Sequence, residues 1–100
     1  MARRSEEAHE RLLEEIAAEK AAALRRIAAM LEQRLGELEG LRRALDTGGG
    51  ERAALVERFN AAREVARLYR WYLEVQREVI GLRGHELLDE FYRVPAPIRD

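Results

Sequence analysis

Two histidines, His9 and His85, are the side chains that first suggest chemistry. His9 closes the run Glu6-Glu7-Ala8-His9. Glu-x-x-His puts a carboxylate and an imidazole on one helix face, the ligand spacing of di-iron carboxylate bundles. Antiparallel folding would bring His85 within a few turns of His9, where Glu86 and Asp89 could join it. Glu6, His9 and His85 are therefore the candidate ligands for a borderline metal. The full motif needs further glutamates projecting inward from mid-helix, and Glu6 falls in a first turn. Surface histidines and no cofactor are the expectation.

Other catalytic signatures are incomplete. His85-Glu86-Leu87-Leu88-Asp89 begins like a zinc-protease motif but has Asp89 where the second histidine belongs. Gly48-Gly49-Gly50 lacks both the preceding strand and the Gly-Lys-Ser/Thr ending of a phosphate loop, so it reads as a linker. The chain has no cysteine, and Ser5 is its one serine. Glu14 and Glu15 lie on a solvated face, where no burial raises a carboxyl for acid–base work. No enzyme is expected.

Arg63, Arg67, Arg70 and Arg77 line one helix near Trp71, as a basic track with a stacking aromatic would in a binder of single-stranded nucleic acid. The same arginines flank an apolar seam, where coiled coils place interhelical ion pairs. Glu14, Glu15, Glu19 and Glu32 are available partners, while Glu64, Glu74 and Glu78 interrupt the track. The structural reading is preferred. Eighteen basic against nineteen acidic side chains leave a net charge of −1, so bulk attraction to nucleic acid or anionic lipid is not expected.

The C-terminal third gathers Tyr69, Trp71, Tyr72, His85, Phe91, Tyr92, Pro95 and Pro97. Aromatic side chains are preferred anchors of protein interfaces, so this region is the candidate partner-binding surface. Residues 94–98 are stiff and extended and could dock in a groove at low entropic cost. The competing reading wraps them over the open end of their own bundle.

These groups must be positioned by helices. The composition is 47% hydrophobic and 37% charged, with 6% aromatic residues and two prolines, a balance typical of long helices and coiled coils. A first helix is expected over 5–45, with Ser5 as N-cap. Leu13, Leu24 and Leu35 recur every eleven residues, as do Ile16, Ile27 and Leu38. That period is near 3.67 residues per turn and keeps a helix nearly straight over about 60 Å.

A Gly-rich turn over 46–50 follows, because three glycines are too costly for a helix interior. A second helix is expected over 51–80. Its seam, Leu55, Phe59, Ala62, Ala66, Tyr69, Leu73, Gln76 and Ile80, alternates fours and threes. A parallel stripe, Val65, Leu68, Tyr72, Val75 and Val79, lies on the adjoining face. Gly81 and Gly84 then bracket a turn before a short helix over 85–92. The tail over 93–100 is extended, since each proline pushes its predecessor out of helical geometry.

The expected fold is all-α: a long antiparallel helical hairpin, coiled-coil-like, plus the short helix and the Pro tail. Folding at Gly48 sets Leu38 opposite Phe59, and the small residues of 21–29 opposite 69–71. Gly36 and Gly40 suggest close approach to Phe59 or to a second chain. One hairpin cannot cover both stripes of the second helix, so a homodimer forming a four-helix bundle is expected, in preference to another protein as partner. No stretch reads as a secretory signal or membrane span, which makes the cytoplasm the default. The functional expectation is a small helical interaction or regulatory module. A nucleic-acid-binding bundle and a metal-binding bundle stand as alternatives.

Overall fold

A computed structural model describes residues 2–99. It contains three helices: α1 (Ala2–Thr47), α2 (Arg52–Val79) and α3 (Glu86–Phe91). No strand occurs among the described residues. Ser5 is no N-cap, because α1 already begins at Ala2. Neither proline nor glycine precedes Ser5 to stop the helix, and alanine and arginine both favour it. Glu51 occupies the N-cap position of α2 without a side-chain bond. The last residue of the expected tail, Asp100, lies outside the described residues.

Both long helices stop by the same device. Gly48 (φ 70°) follows α1 and Gly81 (φ 88°) follows the end of α2. The Gly49 N–H reaches back to Ala44 O (3.1 Å) and the Leu82 N–H to Arg77 O (2.9 Å). Such six-to-one bonds satisfy otherwise orphan carbonyls and require a left-handed residue just beyond the helix, which glycine adopts without a Cβ clash.

The two helices differ in length by eighteen residues (46 against 28). At 1.5 Å per residue, α1 outruns α2 by about 27 Å. The molecule is accordingly a rod, 71 × 22 × 17 Å. Leu12, Leu13 and Ile16 are exposed because α2 gives out beside them, Leu13 and Ile16 sharing an open cleft with Val79 and Ile80 at its end. The eleven-residue seam thus continues one repeat beyond its partner.

The core joins Leu31, Leu38 and Leu41 of α1 to Phe59, Ala62, Ala66 and Leu73 of α2, with Leu88 added by α3. Leu38 and Phe59 line one cleft, in keeping with the expected register. The small-against-large matching holds only in part, Tyr69 being half-buried against the core. The buried alanines, Ala62 and Ala66, are on α2, facing leucines, whereas Trp71 is exposed. Five residues past Ala66, Trp71 stands about 140° further round the helix. Gly36 has nothing within 4 Å of where a Cβ would sit, and Gly40 meets only the Arg43 guanidinium at 3.9 Å. Close approach to Phe59 is therefore not why these glycines are there, and each costs α1 about 1 kcal/mol relative to alanine.

After Gly81 the chain reverses. α3 sets Leu88 in a cleft with Leu24 of α1 and Leu73 of α2, while Leu87 and Phe91 face outward. The extended tail then continues along the α1–α2 groove, and Val94 and Ile98 pack on the core. It lies lengthwise on the hairpin, not over its open end. The hairpin thus gains a third layer on one flank only.

Candidate interaction surfaces

The tail is pinned by side chains of α2. Asn60 Nδ2 donates to Ile98 O at 2.9 Å, and the Ile98 N–H donates to Asn60 Oδ1 at 2.9 Å. Arg63 Nε donates to Pro95 O at 2.7 Å and Arg70 Nη1 to Tyr92 O at 3.4 Å. Arg77 Nη2 reaches Gly84 O at 3.4 Å. Arg70 also pairs with Asp89 and, at 3.4 Å, with Glu74. Three of the four arginines of the basic stripe therefore hold their own chain. Arg67 lies outermost and reaches Glu64 at 3.5 Å. Of the expected partners on α1, Glu14, Glu15 and Glu19 lie toward the end of α1 that outruns α2, and Glu32 accepts from Tyr92 instead.

The metal candidates fall apart spatially. Glu6 and His9 sit on the part of α1 beyond the end of α2, and both are exposed. His85 Nε2 lies 3.3 Å from Glu78 Oε1. Among the described residues, no group of three or more His, Cys, Asp and Glu side chains could hold a metal ion.

The aromatic candidates divide. Tyr92 is half-buried and donates its hydroxyl to Glu32 Oε1 at 2.9 Å. That hydrogen bond, then burial, then the carboxylate charge push the phenol above its ordinary value of 10.0. Folding thus tightens proton binding by Tyr92. Its stabilisation is complete below the unfolded-state value and is lost as pH climbs through the folded-state value. As pH rises above 10.0, the thermal midpoint should fall further for the native chain than for Tyr92→Phe. Equal falls in the two proteins would show that the bond contributes nothing.

Pro95 lies in the groove while Pro97 faces out. Phe91, Trp71 and Tyr72 are exposed, and Trp71 and Tyr72 pack with ring centroids 5.4 Å apart. Tyr72 belongs to the stripe on the flank of α2 away from the tail. Leu68, Tyr72 and Val79 are exposed there, with Val65 and Val75 half-buried. α3 does not cover this stripe, since Leu88 fills the opposite groove. No helix is long and apolar enough to cross a membrane among the described residues. No family model, curated protein or solved structure matches the chain.

Proposed function

We propose that this chain is a non-enzymatic helical interaction module that works as a homodimer. In this reading two hairpins pack through the open flank of α2 into a four-helix bundle. The observation that carries it is the exposed stripe. Ala61, Val65, Leu68, Tyr72, Val75 and Val79 alternate fours and threes without a charged residue, which is the pattern of a helix seam that expects another helix.

Surface area supports the same reading. A compact monomer of 11.5 kDa exposes about 5,800 Å², whereas this chain exposes 7660 Å². The surplus of about 1,900 Å² exceeds the roughly 800 Å² per partner that a standard stable interface removes. A second copy is the occupant at hand, because a twofold axis lets one apolar stripe serve both sides. Light scattering on the purified, untagged protein should give twice the chain mass of 11.5 kDa. A well-folded monomer that persists as concentration rises would overturn the proposal.

A further inference from the structure

The geometry points to a binding site for a small organic acid, one carboxylate on an apolar ring or chain, in the cavity between α1 and the seated tail. This cavity lies on the opposite flank of α2 from the proposed dimer seam, so the two readings stand or fall separately.

The cavity follows from how the tail is fastened. Beyond Tyr92, the hydrogen bonds described above run to Asn60 and Arg63 of α2. The segment therefore leans on α2 and leaves space against α1. That space is about 510 Å³, within the roughly 300–1,000 Å³ of small-molecule sites. Leu35 and Leu38 of α1, Phe59 of α2, Phe91 of α3 and Pro95 of the tail supply its apolar walls. Leu38 and Phe59 are core residues, 2% and 1% exposed, so the cavity reaches down to the core. Phe91 stands on its wall yet stays 66% exposed, a ring left for an apolar body to cover.

The charges around the cavity give the ligand its sign. Arg42, Arg43 and Arg93 line it together with Glu39 and Glu90, and all five are exposed. The three arginines have no ion-pair partner among the described residues; the pairs there use Arg34, Arg63, Arg67 and Arg70 instead. Arg42 is placed by stacking, with its guanidinium carbon 5.0 Å from the centroid of the Phe59 ring. Stacking uses the face of the guanidinium and leaves the N–H groups along its edge free. Such an edge fits a carboxylate through two parallel hydrogen bonds. The helix dipole does not account for Arg42 and Arg43, because both precede the last turn of α1, where that field is concentrated.

The same balance selects among anions. Three guanidinium groups against two carboxylates suit a single negative charge. A nucleotide or polyphosphate would set its further charges against Glu39 and Glu90. An acid as small as acetate would leave the leucine and phenylalanine walls uncovered and forgo the burial that drives binding. A carboxylate on an apolar body uses both halves of the site.

The probe is naphthalene-2-carboxylate, titrated by calorimetry into the full chain. One molecule should bind per chain, and the neutral naphthalene-2-carboxamide should bind at least about tenfold more weakly. Arg42→Gln combined with Arg93→Gln should weaken the acid by a similar factor and leave the amide unchanged. Glu39→Gln combined with Glu90→Gln should tighten the acid, a gain that no folding defect can imitate. Leu68→Glu combined with Val79→Glu, on the other flank, should leave the acid's affinity as it was, whether or not the chain dimerises. No binding, equal binding of acid and amide, or an affinity unmoved by Arg42 and Arg93 would overturn the inference. So would loss of binding in the Leu68 and Val79 variant, which would place the acid on the open stripe of α2.

Discussion

Leu73→Asp should abolish the fold. Leu73 is 4% exposed and shares a cleft with Leu24 of α1 and Leu88 of α3, so it is the place where all three layers meet. Removing the buried leucine costs about 2–5 kcal/mol. Leaving a carboxylate there without a partner costs several kcal/mol more, or forces it to take up a proton. A chain of this size has about 5–15 kcal/mol to lose, and among the described residues the core holds eight buried side chains. Far-UV circular dichroism should show most of the helix signal gone at room temperature. Leu87→Asp is the control. Leu87 is 55% exposed, one residue from Leu88, and surface changes of this kind usually stay within about 0.5 kcal/mol. A Leu73→Asp protein with native helicity and a sharp melting transition would show that the seam on α2 has been misassigned.

The hairpin was legible because its signals are local and repeated. The seam from Leu24 to Leu38, the seam from Phe59 to Leu73 and the glycines between them each follow from helix geometry alone. The start of α1 is less legible, since Ser5 is a good cap by type but capping also needs the preceding residues to leave the helix. Trp71 neighbours Tyr69 in sequence, but its angular distance of about 140° from Ala66 sets it outside the seam.

The third layer was the least legible part. Its contacts pair Asn60 with Ile98 and Arg63 with Pro95, more than thirty residues apart, and no periodicity spans that separation. One sign was present. Asn60, the single asparagine of the chain, stands inside a helix, where its side chain is disfavoured unless it bonds elsewhere. The arginines looked like an ion-pair stripe because charge complementarity with glutamates is visible in sequence. A guanidinium aimed at a backbone carbonyl leaves no such trace, since every residue has a carbonyl.

Leu68→Glu combined with Val79→Glu should instead leave the helices intact and halve the mass. Leu68 and Val79 are 47% and 62% exposed, so neither substitution opens a hole in the hairpin, and glutamate suits a helix at least as well as valine. In the proposed dimer, a twofold axis turns two substitutions into four charges on one seam. Each apolar side chain withdrawn from the interface forfeits about 1.5–3 kcal/mol if its burial there is complete. Half that per site, summed over four sites, is still about 3–6 kcal/mol, or two to four powers of ten in the dissociation constant. Light scattering should therefore report the single chain mass, and the thermal midpoint should lose any dependence on concentration. The pair of experiments separates two kinds of apolar surface on one helix. The seam through Leu73 holds a chain to itself, and a charge there removes helix. In the proposed dimer the stripe through Leu68 holds one chain to another, and charges there should remove mass while the helix remains. A doubly substituted protein that still scatters as a dimer would move the interface elsewhere, first to the overhanging Leu12, Leu13 and Ile16 of α1.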